Sequence, residues 1–583
     1  MGSLKPRLVV YVNDDDALLR WTVDQLSAEC RGFAIQRKRK RGKDPVATSW
    51  LDNFAPPGTQ PHQLGVFETS HARPFRAFTW TDHAVDSGDR VRYRVVPMYD
   101  GEDEPRMAHA SNWSRARTAG FAPGSVFRAW FNRGFVISQY MSRYLDEHFP
   151  GMDREKALQK FKDDITADLE DKLRVFLSGA LRTQLLSLLR DVDGSTDHVY
   201  AALYEFSDEE LVRALEKVGP HAHVVLANGS ITKRASETSA EARKRDQNKA
   251  GRARLVAANV DLQVDNRFVS PGGLAHNKFL VVTDAAEQPR RVWTGSTNWT
   301  VTGLCTQLNN ALLVEDADVA AAYLAQWKLL RAAASSHPAT LAASNAKPTS
   351  IGGNTPKTIR SSVHFTKATG KVDLEALGKI VRGAQEGVLF LMFMPGGSGV
   401  LKDVLALAKT RPDLLIRGVV SELPKGVDDE HTGKTTTLEV TIVGSAAPQP
   451  AVSRTFSVVQ PEGNAHPTAW WAAETTHKQF KANIGNAIIH SKVLVVDPFS
   501  DDPTVVTGSH NFSTNASTKN DENFIVVRGD RQLAEAYAVN IQSAWQHYAP
   551  RLGNPHADLS GNAYLQALLQ DQRAEEHFWR LTV

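Results

Sequence analysis

The hydrophobic pattern of the N-terminal fifth of the chain alternates with a period of two, which is typical of strands that bury one face. Such runs occupy residues 32–37, 78–82 and 91–96, and turn-rich pieces with Gly, Pro, Asp and Ser separate them. Short alternating strands joined by turns are typical of a small β-sandwich. The pattern therefore predicts an all-β domain over residues 1–120.

The periodicity becomes helical after residue 150, where apolar residues recur at spacings of three and four up to about residue 190. Two strand–helix–strand units follow, one over residues 198–228 and the other over residues 388–420. Between them, residues 335–354 are rich in Ala, Ser, Pro and Gly, which predicts a linker.

The two units lie far apart in the sequence, so we interpret them as an internal duplication. The expected fold class is α/β, with duplicated halves built around mixed β-sheets and a small all-β sandwich in front of them. We place the first half at residues 121–345 and the second at residues 346–583.

Composition narrows the class of protein. Of the 583 residues, 42% are apolar and 23% are charged, which is typical of a soluble globular protein. The formal net charge is only +3, whereas proteins that coat nucleic acid carry a larger basic excess, so anion recognition should be local. The two cysteines, Cys30 and Cys305, form no CxxC or Cys/His cluster, which argues against a disulfide framework and a structural zinc site.

The beginning of the chain gives an expectation about location. The apolar run at residues 8–12 is too short for a signal peptide and predicts a strand. No run of about 18 apolar residues occurs, so we expect no transmembrane segment. We expect a cytoplasmic protein, with signal-independent secretion as the alternative.

A His-x-Lys motif occurs once in each half. His276 and Lys278 lie in the first half, and His490 and Lys492 lie in the second, each pair inside an apolar run that predicts a buried strand. A period of two places both side chains of a pair on the same face of the strand. Because burying His and Lys without partners is costly, their repeated occurrence indicates a functional site.

Further polar residues follow each motif at nearly equal spacing. Each half continues with Gly-Ser-x-Asn, which contributes Ser296 and Asn298 in the first half and Ser509 and Asn511 in the second. The second half then has Asn-Asp-Glu-Asn over residues 520–523, where the first half has Gln-Leu-Asn-Asn over residues 307–310. Asn309 therefore takes the place of Glu522.

These motifs resemble those of the phospholipase D superfamily, whose mark is His-x-Lys-x4-Asp followed by Gly-Ser-x-x-Asn-like residues in each half. The resemblance covers about residues 125–583. The second motif matches in full, with Asp497 as the acidic residue. The first has Thr283 at that position and Asp284 one residue later, and we expect a one-residue insertion before Asp284.

The N-terminal sandwich resembles a fibronectin type III module. The residues that carry this resemblance are Thr79-Trp80-Thr81-Asp82, Ser87-Gly88, Tyr93-Arg94-Val95 and Trp113-Ser114. Such modules position other domains or bind partners.

The superfamily resemblance implies that both His-x-Lys strands meet at one pocket and that one His forms a phosphohistidine, which water or an alcohol resolves. Two His can act as nucleophile and acid, while Lys and Asn hold the phosphate, so we expect no metal and no other cofactor. One chain carries both motifs, so a monomer should suffice. The predicted catalytic residues are His276, Lys278, Asn298, His490, Lys492, Asn511 and Glu522, and the predicted supporting residues are Asp284, Asp497, Ser296, Ser509 and Asn309.

We expect different roles for the two His because their expected partners differ. A carboxylate from Glu522 beside His490 would raise the pKa of that ring and favour a general acid/base. A neutral Asn309 beside His276 would leave that ring uncharged, as a nucleophile requires. His276 is therefore the expected nucleophile.

The substrate class stays open between phospholipid head groups, with hydrolysis or transfer to another alcohol, and nucleic acid. A non-catalytic binding protein is the third alternative. Two basic segments, residues 37–43 and 233–254, could guide a polyanion or an anionic membrane surface, or simply be solvated. Trp470 and Trp471 could contact lipid or stack on bases, so peripheral membrane contact is an alternative too.

Overall fold

The computed structural model describes residues 5–54, 67–102, 104–134, 148–262, 267–352, 358–421, 426–428, 435–437, 456–459, 488–548, 556 and 559–582. Trp470 and Trp471 lie outside these residues. None of the helices within them combines the length and apolar character needed to cross a bilayer.

The N-terminal region is all-β, as predicted, and forms two antiparallel sheets that share one core. Its strands are β1 (Arg7–Val12), β2 (Ala17–Thr22), β3 (Cys30–Lys40), β4 (Ala47–Trp50), β5 (Asp52–Phe54), β6 (Phe67–Thr69), β7 (Thr79–Asp82), β8 (Arg90–Tyr99) and β9 (Arg117–Thr118). One sheet has the order β1-β2-β7 and the other β4-β3-β8-β9, while β5 pairs with β6. Trp21, Phe33 and Tyr93 fill the space between the two sheets. The resemblance to a fibronectin type III module stays a prediction.

The first large sheet carries the first His-x-Lys motif. Its strands and the short strand beside it are β10 (Phe127–Phe131), β11 (His198–Leu203), β12 (Ala222–Leu226), β13 (Asp261–Leu262), β14 (Lys278–Thr283), β15 (Pro289–Gly295), β16 (Gln307–Leu308) and β17 (Asn310–Val314). The order is β10-β17-β15-β14-β11-β12-β13, antiparallel except for the parallel pairs β11-β12 and β12-β13. The helices of this part of the chain are α1 (Arg154–Ala167), α2 (Lys172–Asp193), α3 (Glu209–Val218), α4 (Ser239–Arg243), α5 (Lys249–Ala257), α6 (Val301–Cys305) and α7 (Ala317–Ala333).

The second large sheet carries the second motif. The strands of this part are β18 (Thr349–Ile351), β19 (Arg360–Phe365), β20 (Gly387–Met392), β21 (Leu415–Val420), β22 (Gly426–Asp428), β23 (Thr435–Thr437), β24 (Phe456–Val459), β25 (Ile488–Ile489), β26 (Val493–Val496), β27 (Thr504–Gly508) and β28 (Asn523–Arg528). The sheet has the order β18-β19-β28-β27-β26-β20-β21-β24, with β20-β21 and β21-β24 parallel. Its helices are α8 (Ala339–Asn345), α9 (Val372–Arg382), α10 (Val400–Thr410), α11 (Thr514–Thr518), α12 (Arg531–Tyr548) and α13 (Gly561–Glu575). From β19 to β24 the sequence of antiparallel and parallel pairs repeats that of the first sheet, which favours the predicted duplication.

The two sheets share one apolar core. Phe279 of the first sheet and Leu391 of the second lie in it together with Tyr323 of α7 and Tyr537 of α12. Helices α2 and α3 cover the other face of the first sheet, and α9 and α10 cover the other face of the second. The motif strands β14 and β26 are thus buried in the middle of their sheets.

Both strand–helix–strand units are confirmed, and so is the helical periodicity of residues 150–190. This stretch forms the two helices α1 and α2, and Asp171 caps α2 by accepting hydrogen bonds from the N–H groups of Leu173 and Arg174. The predicted linker at 335–354 is wrong for residues 339–345 and 349–351. Helix α8 buries Leu341 in the shared core, and β18 pairs with β19.

The last helix returns to the N-terminal sheets. Leu565 and Leu569 of α13 lie in the same core as Trp21. At the end of this helix the buried Glu575 carboxylate accepts hydrogen bonds from Arg20 of β2 and Arg417 of β21, each at 2.5 Å. Burial favours the neutral acid, but Arg417 and Arg20 outweigh it and lower the pKa of Glu575 to about 2. One carboxylate therefore joins the sandwich, the second sheet and the C-terminal helix.

Glu575→Gln should destabilise the protein by about 3 kcal/mol or more, because two buried guanidinium groups lose their counter-charge. The wild-type contribution is present above about pH 4.5 and is lost as the pH falls toward 2, since the folded-state pKa is depressed. Urea denaturation at neutral and acidic pH measures both effects. The exposed Glu375→Gln is the control and should change stability by less than about 0.5 kcal/mol. Equal stability of the two variants would contradict the prediction.

Candidate active site

Backbone hydrogen bonds between the two sheets bring the His-x-Lys motifs together. The His276 N–H donates to the Asp521 carbonyl at 2.9 Å, and the Asp521 N–H donates to the Leu274 carbonyl at 2.8 Å. In the same way β16 pairs with β25 in parallel, and the His490 N–H donates to the Leu308 carbonyl at 2.9 Å. The segment in front of each His is therefore held by the polar segment that follows the motif of the other sheet.

A buried ion pair reinforces one of these crossings. Arg267 forms two hydrogen bonds with the Asp521 carboxylate, at 2.8 and 2.9 Å, and both residues are fully buried. Its guanidinium also donates to the carbonyls of Ala334 and Ser336. Sequence reasoning missed Arg267, because a single arginine outside any motif gives no local signal of a partner 254 positions away.

The two lysines are buried beside their own motif. Lys278 Nζ donates to the His276 carbonyl at 2.7 Å, and Lys492 Nζ donates to the His490 carbonyl at 2.5 Å. All four side chains have at most 5% of their surface exposed. Burying two ammonium groups so close together is costly unless an anion joins them.

An aromatic ring lies against each motif. The Tyr204 ring meets His276 edge to face, with centroids 4.7 Å apart, and Lys278 Nζ lies 4.7 Å from the same ring. Phe393 has the same relation to the second motif, at 5.0 Å from the His490 ring and 4.9 Å from Lys492 Nζ. Tyr204 follows β11 and Phe393 follows β20, so the neighbouring strand of each sheet supplies the ring.

The expected partners of the two His are exchanged in the structure. Glu522 Oε1 lies 3.3 Å from Nδ1 of His276, not beside His490. Asn309 Oδ1 lies 2.9 Å from Nδ1 of His490, not beside His276. The reason is the crossing described above, since the segment that carries each partner pairs with the other sheet. The expectation that Glu522 raises the pKa of His490 is therefore wrong.

Both His partners are fixed by further hydrogen bonds. Glu522 Oε2 accepts from the Asn511 N–H at 2.9 Å, and Oε1 accepts from Asn520 Nδ2 at 2.7 Å. Asn309 Oδ1 accepts from Ser296 Oγ at 2.8 Å, and its amide donates to the Gly303 carbonyl at 2.9 Å. Each oxygen near an imidazole is thus oriented before any substrate arrives.

Ser509 is placed like Ser296. Ser296 Oγ accepts from the Asn310 N–H, and Ser509 Oγ accepts from the Asn523 N–H, both at 3.0 Å. These two serines close the turn after β15 and after β27. They therefore fix the backbone turns beside the site.

Electrostatics keep both imidazoles neutral. Burial and the Lys278 charge lower the pKa of His276 to about 4, although Glu522 acts in the opposite sense. Burial and both lysines lower the pKa of His490 well below its usual range. Burial lowers the pKa of Lys278 to about 7 and also depresses that of Lys492. Burial opposes ionisation of Glu522, but its contact with His276 and the bond from Asn520 outweigh it and lower the pKa to about 2.

The two predicted asparagines differ in their surroundings. Asn298 Nδ2 donates a hydrogen bond to the carboxylate of Glu205, a residue that sequence reasoning missed. The Glu205 carbonyl accepts from the Trp299 N–H at 3.1 Å, which fixes this carboxylate beside the asparagine. Within the described residues, the buried Oδ1 atoms of Asn298 and Asn511 have no hydrogen-bond partner. Glu205 comes immediately after an apolar strand and an aromatic residue, and this position is the signal that could have identified it.

The two acidic residues of the motifs take different structural roles. Asp497 accepts hydrogen bonds from the N–H groups at the start of β20, those of residues 385–387. Asp284 caps its own hairpin by accepting from the N–H groups of Ala286 and Gln288. The expected insertion before Asp284 is wrong. Thr283 pairs with Pro289 and Val282 with Arg291, so the extra residue is a bulge at position 290 of β15.

The basic segment 233–254 forms α4, α5 and the turns around them. Its arginines 245, 252 and 254 pair with carboxylates of the same region. The pairs are Arg245–Glu237, Arg252–Asp246, Arg254–Glu209 and Arg254–Glu216. Paired side chains attract a polyanion less, which favours a charged helix surface over a strand guide.

Comparison with known proteins identifies the domain. Residues 188–330 and 435–545 match the family model described as "Cardiolipin synthase, PLD-like domain". No curated protein matches the chain at a significant level.

Several solved structures are similar to this chain. Phosphatidylserine synthase of Haemophilus influenzae shares 13% identity, covering 68% of this chain and 92% of its own, with a TM-score of 0.40. The phospholipase D family member Nuc of Salmonella typhimurium shares 19% identity over 33% of this chain and 97% of its own, with a TM-score of 0.21. Polyphosphate kinase of Porphyromonas gingivalis shares 12% identity over 98% of this chain and 81% of its own, with a TM-score of 0.39. Each of the two segments that match the family model carries one of the His-x-Lys motifs.

Proposed function

We propose that this protein is a metal-independent phosphodiesterase of the phospholipase D type, acting through a phosphohistidine. One observation carries the proposal. Backbone hydrogen bonds between the sheets bring two buried His-x-Lys pairs together, and each His has a partner near Nδ1 that comes from the other sheet's polar segment. A phosphodiester anion would offset the two lysine charges, which explains why their burial is tolerated.

His276 is the proposed nucleophile, although the expected reason for this role is wrong. Burial and lysine charge make both rings neutral, so a neutral partner is not needed for that purpose. A phosphorylated imidazole gains positive charge, and only His276 has a carboxylate, Glu522, at the distal nitrogen to stabilise it. The nearby Glu522 carboxylate favours a proton on Nδ1, so Nε2 is the nitrogen that we propose attacks phosphorus.

His490 is the proposed acid and base. Asn309 Oδ1 fixes its ring with the Nδ1 proton directed away from the pocket, so Nε2 can carry a proton to the leaving oxygen. The bound phosphate anion favours the protonated ring, because it opposes the lysine charges that depress its pKa. The same nitrogen then accepts a proton from the water or alcohol that resolves the intermediate.

Phospholipid is the proposed substrate, with head-group release and transfer to an alcohol as the two outcomes at the phosphohistidine. The description of the matched family model, which names a phospholipid-forming enzyme, supports this choice. The presence of both motifs in one chain supports it as well.

Nucleic acid is the second candidate, favoured by the outer face of the N-terminal sheet. Lys38 lies opposite Arg92, and Lys40 opposite Arg90, across β3 and β8. Like charges directly opposite each other destabilise a sheet, and a polyanion would relieve this. By contrast, Arg37 of the same basic run points to the other face and pairs with a carboxylate.

Rapid denaturation in detergent at alkaline pH, with substrate labelled in the phosphoryl group, tests the assignment of the two His. His490→Asn should accumulate phosphoenzyme, because the nucleophile remains while the acid/base is lost. His276→Asn should trap none, and each change should lower turnover about 1000-fold or more. His198 is the first residue of β11, and His198→Asn is the control, which should behave as wild type. Phosphate trapped on His276→Asn would reverse the two roles.

The pH dependence of kcat/KM tests the Glu522 contact. Attack needs neutral His276, so kcat/KM should fall as the pH decreases through about 4. On the basic side kcat/KM should fall again, first as His490, whose pKa lies well below its usual range, loses the proton that it donates, and then through about pH 7 as Lys278 loses the charge that binds phosphate. Glu522→Gln should lower the maximum about 100-fold and move the acidic limb to lower pH, because the carboxylate favours the protonated ring. The acidic limb should stay in place for Glu375→Gln, and a limb unmoved by Glu522→Gln would contradict this role.

A paired assay in excess EDTA separates the substrate classes. Wild type and the His276→Asn/His490→Asn double variant are incubated with phosphatidylcholine vesicles, with and without added ethanol, and separately with single- and double-stranded DNA. Choline release or phosphatidylethanol formation by wild type alone is the expected result. DNA cleavage by wild type alone would replace the first candidate with the second. Silence in both assays, or activity only with added metal, would contradict the proposed function.

A further inference from the structure

The two sides of the site match closely up to one position. Tyr204 and Phe393 hold the same relation to their His and Lys, each as the first residue after a strand of its sheet. The next residue is Glu205 on the first side and Met394 on the second. Met394 is uncharged and has 44% of its surface exposed.

Glu205 is held as part of the phosphate-binding surroundings. Its carboxylate accepts from Asn298 Nδ2, and its carbonyl accepts from the Trp299 N–H. The bond to Asn298 places this carboxylate beside a predicted phosphate ligand. Burial raises the pKa of this carboxyl, and both lysines and the Asn298 bond oppose that effect.

A second carboxylate is unexpected in a pocket built to bind phosphate. Glu522 has a use, because it faces Nδ1 of His276. Glu205 faces the amide that would donate to the phosphate, so its charge repels any anion bound there. The repulsion scales with the charge of the ligand and is therefore twice as large for a dianion as for a monoanion.

Substrate and product of the proposed reaction differ in this charge. The His nitrogen first forms a P–N bond and displaces the alcohol, which leaves with a proton. Water then breaks the P–N bond, which gives a phosphomonoester and restores the His. The diester carries one negative charge. The monoester product carries nearly two above its second ionisation, near pH 6.

We propose that Glu205 makes the pocket select monoanionic phosphodiesters over dianionic phosphomonoesters, so that the hydrolysis product is released instead of inhibiting the enzyme. This inference rests on the proposed function for its physiological meaning. The charge selectivity itself is a property of binding. Without Glu205, the same lysines and asparagines would hold the product more tightly than the substrate.

Binding of dimethyl phosphate and methyl phosphate at about pH 7, followed by 31P NMR titration, tests the selectivity without turnover, because the monoester is then largely dianionic while Lys278 keeps part of its charge. Glu205→Gln keeps an acceptor for Asn298 and removes only the charge. At about 4 Å and the dielectric constant of bulk water, a unit charge changes the affinity of a monoanion about fivefold and that of a dianion about 25-fold. The variant should therefore raise the ratio of methyl phosphate to dimethyl phosphate affinity about fivefold or more.

Two matched variants act as controls. Met394→Gln places the same amide at the corresponding position after β20, and Glu205→Asp keeps the charge. Each should change the affinity ratio by less than about twofold. In turnover, Glu205→Gln should show inhibition by the monoester product that is stronger by the same factor, while Met394→Gln should not.

The outcomes separate this inference from the proposed function. An unchanged ratio in Glu205→Gln, an equal change in Met394→Gln, or no binding of either phosphate to any variant would overturn the role of Glu205. A protein that shows the expected ratios but cleaves no phosphodiester would contradict the proposed function and leave the charge selectivity standing. An active enzyme with an unmoved ratio would support the proposed function and overturn the charge selectivity.

Discussion

The site depends on a reciprocal backbone exchange between the two large sheets. The chain in front of His276 is hydrogen bonded to Asp521, and the chain in front of His490 is hydrogen bonded to Leu308. A few such bonds fix the distance between the motifs, because each strand continues directly into a buried position of its own sheet. The Arg267–Asp521 pair supports the first crossing from inside, where no water can replace it. A shift of one sheet against the other would therefore separate both imidazoles from their partners at once.

The exchange also explains how two buried lysines are compatible with two neutral imidazoles. Each ammonium is held by the carbonyl of its own motif and faces an aromatic ring, so neither Lys278 nor Lys492 has a carboxylate as a direct hydrogen-bond partner among the described residues. Their charges depress the pKa values of the adjacent His rings, and the Lys278 charge also depresses the pKa of Lys492. An arriving anion relieves all of these effects together. Binding of a phosphate anion would therefore lower the cost of burying these charges, which favours a site specific for anions over a general polar cleft.

Sequence periodicity predicts the elements well, because strands β11, β14, β20 and β26 are buried along their length and helices α3 and α10 have one apolar face. The motif residues are also evident from spacing alone. The residues that contact Nδ1 of each His are not evident from spacing. Alignment of the two halves equates Asn309 with Glu522, but which His each one meets depends on pairing between sheets, about which local pattern carries no information. The bulge at position 290 and the strand β18 in an Ala- and Ser-rich segment were likewise decided by tertiary pairing.

The near-symmetry of the pocket makes its three differences informative. A symmetric pair of His would have no preferred direction of attack. In the proposed mechanism Glu522 opposite Asn309 supplies one, since a carboxylate stabilises a ring that becomes cationic and an amide does not. Tyr204 and Phe393 pack against their His in the same way, so on this point the two sides do not differ in shape. Glu205 opposite Met394 then adds a charge that the attack itself does not need. A group that weakens anion binding is explained if some anion must be kept out, and in the proposed reaction that anion is the monoester product.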